Sequence, residues 1–276
     1  MIVELQQIAG RHPAASRDTS PALKNVSFSV QAGEQVAIIG PSGAGKTTLL
    51  HLLACALEPA AGKVLLDNTD PWALGKRGLR DVRRRLFLAP QVPPLPPRQR
   101  VVTSVLAGKL PHMGFWTSLR SLFYPVDTGA AHDALARFDL AEKLFERVDR
   151  LSGGERQRVG LARGLVSGAN LFLVDEPLSA LDPARAEQAM QTLAQAAREQ
   201  GATLISTLHQ VEMALKHFPR VIGLRDGELA FDLPSAEVTE QRLIDLYAQH
   251  LDELTGPAPE RPPSQTKPAP VAMNCR

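Results

Sequence analysis

The run Gly40-Pro41-Ser42-Gly43-Ala44-Gly45-Lys46-Thr47 constrains this chain more than any other feature. It matches G-x-x-x-x-G-K-[ST] at every fixed position. Glycines let a backbone wrap closely around phosphate oxygens with its N–H groups turned inward. The loop needs a strand to lead into it and a helix to leave it, the positive helix end facing the anion. Both flanks comply. Gln35–Ile39 reads as a short apolar strand, and residues 46–57 have helical composition closed by Glu58-Pro59. The expected phosphate contacts are Gly40, Pro41, Ser42, Gly43, Ala44, Gly45, Lys46, Thr47 and Thr48. Lys46 suits the β- and γ-phosphates of a nucleotide, and the Thr47 hydroxyl suits Mg2+. A chance match on a Gly-rich turn is the bland alternative, and it leaves the flanks unexplained.

Leu171-Phe172-Leu173-Val174-Asp175-Glu176 is an apolar strand ending in two acids. In open α/β sheets, ligands bind outside the carboxyl ends of such strands. Asp175 is therefore a candidate for the Mg2+ shell, and Glu176 for aiming an attacking water. Pro177 biases the Glu176 backbone towards an extended form. Taken alone, two acids at a strand end more often cap a helix. His209 closes a second strand, residues 203–208, where an imidazole can reach a γ-phosphate oxygen.

Around these pieces, strands alternate with helical stretches, which argues for an α/β fold with a mainly parallel sheet. Residues 221–231 read as a hairpin turning at Asp226-Gly227. Asp182-Pro183 reads as an N-cap opening a helix that stops at Gly201. Residues 92–150 differ in character. They open on Val92-Pro93-Pro94-Leu95-Pro96-Pro97 and continue as helical patterns at 130–139 and 141–148, the mark of an inserted helical subdomain. Residues 251–276 are proline-rich and aperiodic, and are expected to be a disordered tail.

With 31 basic and 29 acidic side chains, the chain is too evenly charged for a nucleic-acid binder. Its two cysteines, Cys55 and Cys275, form neither a disulfide framework nor a metal cluster, which fits a reducing setting. Cys55 reads as core packing. No stretch reaches the ~20 apolar residues of a membrane span, and Met1–Gly10 lacks the pattern of a secretory signal, so any tie to a membrane is expected to run through partner proteins or surface contacts.

Leu151-Ser152-Gly153-Gly154-Glu155-Arg156-Gln157-Arg158 is the most specific run. Ser152 and Glu155 have capping-box spacing, and the glycines leave N–H groups open at a positive helix end. That makes a second anion site. Here the chain resembles the ATPases of ABC transporters, through this signature together with the phosphate loop, Asp175-Glu176 and His209, over about residues 1–250. The resemblance implies a P-loop ATPase with an antiparallel β portion and the inserted helical subdomain. It implies a head-to-tail pairing of two copies with two ATP molecules sandwiched between them. Ser152, Gly153 and Gly154 of one copy would close over the γ-phosphate held by the other. It further implies Glu176 as general base, His209 as switch, Gln91 as a contact to Mg2+ and water that senses the membrane partner, and Asp182 in the loop coupling the sites. His12 stands where the family stacks an aromatic ring on adenine, a departure. The prolines after Gln91 either stiffen a partner-facing loop or form an ordinary surface turn.

Within that family the chain is similar to ATPases of phosphonate importers, through 105–110, 116–123, 206–211 and 221–227. Phe115, Trp116, Leu119, Leu122 and Phe123 also read as packing residues. The resemblance implies integral membrane permease subunits as partners, an external solute-binding protein beyond them, and a place on the cytoplasmic face of the inner membrane. A soluble ABC ATPase acting on DNA or ribosomes would carry two cassettes or a coiled-coil insertion. A non-catalytic regulator would not keep Lys46, Asp175, Glu176 and His209 together.

Overall fold

A computed structural model describes residues 1–11, 21–123 and 127–248. His12, Cys275 and residues 251–276 lie outside the described residues. The elements run β1 (Val3–Gly10), β2 (Leu23–Val30), β3 (Gln35–Ile39), α1 (Lys46–Leu53), β4 (Ala61–Leu66), α2 (Lys76–Arg84), β5 (Leu86–Ala89), α3 (Val101–Leu106), α4 (Phe115–Phe123), α5 (Thr128–Ala136) and α6 (Gly153–Leu165). They continue with β6 (Leu171–Asp175), α7 (Pro183–Glu199), β7 (Thr203–Thr207), α8 (Val211–His217), β8 (Arg220–Arg225), β9 (Glu228–Pro234) and α9 (Glu240–Leu246).

A six-stranded sheet has the order β5-β6-β7-β3-β8-β9, parallel except for the β8–β9 hairpin. A separate antiparallel sheet has the order β2-β1-β4. Strand β3 is buried at every residue because both of its faces are covered. Its side chains alternate between two cores, as a period of two requires. Val36 and Ile38 join the core shared with α1 and the antiparallel sheet. Ala37 and Ile39 join the core built with α3, α5, α6, α7 and α8. The phosphate loop therefore leaves from a strand enclosed on both faces.

The hairpin turns at Asp226 and Gly227, both with positive φ (52° and 81°), as a tight two-residue connection demands. Asp182 caps α7, its carboxylate accepting from Arg185 N–H at 3.1 Å, with Pro183 in the first turn. Two expected helices differ. The helix after the loop ends at Leu53, because Cys55 turns left-handed (φ 53°) and Arg83 clasps its carbonyl at 2.6 and 3.1 Å. Cys55 itself is buried, and burial pushes its thiol up to about 11. Residues 141–148 form only a short helical turn at Ala141–Lys143. The chain then turns at residues 144–146, Leu144 O and Glu146 O accepting from Val102 and Val101 N–H in the first turn of α3 at 2.9 Å. Backbone pairing with the start of α3 outweighs local helix preference there.

Trp116 and Leu119, expected to pack, are 77% and 43% exposed. In the proline run after β5, Pro93 and Leu95 are half-buried while Val92, Pro94, Pro96 and Pro97 are exposed. Pro93, Pro94 and Leu95 line a small cavity of about 150 Å³ with Phe87, Leu161 and Arg163.

Candidate functional site

A cleft of about 420 Å³ lies at the carboxyl end of β3, within the range of small-ligand sites. It is lined by Ala22, Ser42 to Thr48, Glu176 and His209. Gly40 (φ 149°) and Gly45 (φ 97°) shape the loop. A Cβ on Gly40 would sit 2.0 Å from Leu224 O, and one on Gly45 2.5 Å from Ala22 O, so no other residue fits either place. Helix α1 starts on Gly45 with no side-chain cap, leaving its first turn open towards the cleft. Lys46 is buried at 5% exposure, and its Nζ donates to Gly40 O (2.7 Å) and Pro41 O (3.1 Å). These carbonyls hold the ammonium at the loop's root, beside the space an anion would fill. Thr47 lies partly exposed and Thr48 buried on the same turn.

Opposite the loop stands Glu176. His209 Nε2 lies 2.6 Å from its Oε1, and Gln91 Nε2 donates to its Oε2 at 2.6 Å. The two side chains are only 13% and 18% exposed for Glu176 and His209 respectively. The carboxylate is thus gripped from both sides at the mouth of the cleft. Its backbone is left-handed (φ 47°), not the extended form that Pro177 favours. Such a conformation costs a non-glycine residue about 1–3 kcal/mol and persists only where neighbours over-determine it. Thr207 is one such neighbour. Glu176 N–H donates to Thr207 O (3.2 Å) and Thr207 Oγ1 (3.0 Å), while the Thr207 hydroxyl donates to Asp175 Oδ1 at 2.7 Å. One buried hydroxyl therefore sets both acids. Asp175 is 6% exposed and does not line this cleft; it borders the neighbouring cavity with Pro93 and Gln157, at the last register position of β6 against β7.

The signature residues gather elsewhere. Ser152 and Glu155 form the capping box: Ser152 N–H donates to Glu155 Oε2 (2.7 Å) and Glu155 N–H to Ser152 Oγ (3.2 Å). Ser152 and Gly153 are exposed, as is Asp182. None of Ser152, Gly153, Gly154 and Asp182 lines the Lys46 cleft. Gly154 instead packs against Ala180 and Leu181, in the loop that ends at Asp182. The described chain thus brings the predicted residues into two groups, one around Lys46 and Glu176 and one at the tip of α6. His12 is in neither group, lying outside the described residues.

Three supporting residues escaped the motif reading. Thr207 offered a signal, being a hydroxyl inside an apolar strand. Gln157 lies in the signature run but carries no visible role in sequence. Tyr247 offered none: its buried hydroxyl accepts from Gly40 N–H at 3.1 Å, across 207 residues.

The donor set fits Mg2+. A threonine hydroxyl, an aspartate and a glutamine are hard oxygen ligands, and Mg2+ needs only one or two carboxylates beside phosphate oxygens and water. Among the described residues no cluster of three or more His, Cys, Asp or Glu is present, so no all-protein metal cage competes with that arrangement.

Comparison with known proteins agrees with this geometry. The family described as ABC transporter matches residues 23–179. The Phosphonates import ATP-binding protein PhnC of Polaromonas sp. is 67% identical over the whole of both chains. Phosphonates import ATP-binding protein PhnC 2 of Pseudomonas aeruginosa is 52% identical, covering 88% of this chain and 92% of its own. Among solved structures, a dimeric ATP-binding cassette in a post-hydrolysis state, bound to ADP and Pi, superposes with a TM-score of 0.71 at 28% identity. It covers 84% of this chain and 98% of its own. CbiO1 from Clostridium perfringens, 24% identical with a TM-score of 0.71, shares the fold over 90% of this chain and 95% of its own. With a family match over more than half of its length and relatives at 67% and 52% identity, the chain belongs to the ABC transporter family as one of its ATPases.

Proposed function

We propose that this ATPase drives import of a phosphonate or a related small phosphorus oxyanion, hydrolysing MgATP between two copies of itself. The observation that carries the site is the Glu176 carboxylate held between Gln91 and His209, directly across the cleft from Lys46 and the glycine loop. In this reading the loop N–H groups and Lys46 bind the β- and γ-phosphates, and the chain exchanges its Gly40 and Pro41 carbonyls for phosphate oxygens as partners of Nζ. Thr47, Asp175 and Gln91 would hold Mg2+, which when bound offsets phosphate charge. Glu176 takes a proton from a water aligned with the γ-phosphorus; the water oxygen bonds phosphorus as the β–γ bridging oxygen leaves with ADP. His209 hydrogen-bonds the γ-phosphate. Little covalent work falls to the protein, so positioning and charge supply most of the rate.

The exposed Ser152-Gly153-Gly154 tip of one copy closes over the γ-phosphate in the other, and Asp182 lies in the loop between the sites. Residues 1–250 are the ATPase domain, with the helical subdomain at about 92–150 and a proline-rich tail at 251–276. No helix among the described residues is long and apolar enough to cross a membrane, so the ATPase needs permease subunits to act on a solute, and an external binding protein to present it. Its place is the cytoplasmic face of the inner membrane. The solute is read from relatives whose names say phosphonates import. A strain lacking the gene should fail to grow on a phosphonate as sole phosphorus source and should grow normally on phosphate. Normal growth on the phosphonate would overturn the assignment of solute, and co-purification with a permease tests the partner separately.

A further inference from the structure

We infer that Gln157 is a positioning residue through which the signature helix α6 of each copy sets the Glu176 carboxylate of that same copy. The inference deepens the proposed function and rests on its reading that the α6 tip serves the other copy's ATP.

Gln157 lies one turn into α6 from the Gly153-Gly154 tip and is 4% exposed. Its amide bridges two backbone groups outside the helix. Nε2 donates to Glu176 O at 3.0 Å, and Oε1 accepts from Ala180 N–H at 3.1 Å. Nε2 also lies 3.4 Å from Ser179 Oγ. A buried amide with donor and acceptor both used is a rigid link, and it does not titrate. The peptide it grips is the strained one. Glu176 is left-handed, held on its N–H side by Thr207 and on its carbonyl side by Gln157. Thr207 belongs to the fully buried strand β7 at the middle of the sheet. Gln157 belongs to a helix whose tip is solvent-exposed, so the carbonyl side is where the turn can be adjusted.

The tip is fastened to the same loop. A Cβ on Gly154 would lie 2.9 Å from both Ala180 O and Leu181 Cδ2, so helix and loop touch with no room for a side chain. Gly154, Gln157 and the 176–181 loop therefore shift together. A phosphate gripped at Ser152 pulls on α6. Gln157 passes that shift to the Glu176 peptide, whose side chain sits in the cleft of its own copy between Gln91 and His209. Each carboxylate is thereby set by the occupancy of the opposite cleft.

Two variants test this. Gln157→Met keeps length and burial and loses both bonds. Gln157→Glu keeps an acceptor for Ala180 N–H and loses the donor to Glu176 O. Both should lower kcat by roughly tenfold or more, as a small misplacement of a catalytic group does. Direct binding of a fluorescent ATP analogue should stay within about twofold of wild type, and the Hill coefficient for ATP should fall towards one in both, as expected of a lost coupling. Wild-type kcat in Gln157→Met overturns the inference and leaves the ATPase site standing. Wild-type kcat in Gln157→Glu alone assigns the effect to Ala180 and overturns it too, as does a parallel loss of kcat, nucleotide affinity and melting temperature. Unchanged turnover in Glu176→Gln would instead remove the site reading beneath it.

Discussion

The cleft at Lys46 and the tip at Ser152 use the same material, glycines ahead of a helix N-terminus, and end in opposite conditions. The cleft is enclosed. Its lysine is 5% exposed, its glycines are pressed against Ala22 and Leu224, and a gripped carboxylate faces it. The tip is open. Ser152 and Gly153 are exposed, and the capping box satisfies the nearest backbone groups. In the proposed function, an enclosed glycine cleft and an exposed, capped helix tip are complementary halves. The difference teaches that, under the proposed function, one copy holds a complete binding site for phosphate and an incomplete one for hydrolysis.

The largest expected effect falls on the enclosed half. Glu176→Gln keeps the size and the hydrogen bonds of the side chain and loses its basicity. Turnover should drop by about 10²–10⁴-fold, with MgATP still bound and a paired form accumulating in analytical ultracentrifugation. Steady-state hydrolysis near wild type would strip Glu176 of its role. Lys46→Ala should abolish detectable nucleotide binding in the same range of concentrations, and intact binding would break the assignment of the cleft.

The open half is tested next, by asking whether it works across copies. Gly153 has room: the nearest atom to an added Cβ is Ala180 Cβ at 3.8 Å. Gly153→Glu should therefore fold, bind ATP at the cleft and repel phosphate at the tip, cutting turnover at least tenfold by losing an oxyanion contact. Mixed with Lys46→Ala, it should regain activity, because a mixed pair contains one site with both halves intact. Absence of any recovery after subunit exchange would mean that tip and cleft do not meet between copies.

How much of this was legible in sequence follows the same division. The loop from Gly40 to Thr48 could be read because its function dictates local residue types at fixed spacing. So could the capping box at Ser152, the N-cap at Asp182 and the Asp226-Gly227 turn. What holds the Glu176 carboxylate and the glycine loop in place could not. Thr207, Gln157 and Tyr247 hydrogen-bond backbone groups of Glu176, Glu176 and Gly40 that lie 31, 19 and 207 positions away, and no periodicity marks such a bond. The left-handed turn at Glu176 was missed for the same reason: Pro177 argues locally for extension, and tertiary hydrogen bonds overrule it. The helix expected at 141–148 failed to form because its carbonyls are needed by Val101 and Val102.

Tyr247 offers a finer test of the enclosed half. Tyr247→Phe leaves Gly40 N–H buried without that acceptor, a loss of about 1–3 kcal/mol. Affinity for MgATP should fall several-fold and the melting temperature by a few degrees, with kcat at saturation little changed. An equal loss in kcat would place the hydroxyl in the chemistry rather than under the loop.

The smallest effect concerns the open tip and pH. Glu155 accepts from Ser152 N–H, and that hydrogen bond holds its carboxyl below the ordinary glutamate value, against the opposing effect of burial. A folded value below the unfolded one means that the carboxylate stabilises the fold above the unfolded value, near pH 4.3, and that this contribution fades as pH falls through the folded value. The melting temperatures of wild type and Glu155→Ala should accordingly differ by a constant, small amount from about pH 6 to 8, and converge below about pH 4. Nucleotide binding at Lys46 should be the same in both throughout the neutral range, since the capping box serves only the tip. A gap that persists unchanged into acid would mean that Glu155 contributes packing rather than charge, and that the exposed helix end owes its order to Ser152 alone.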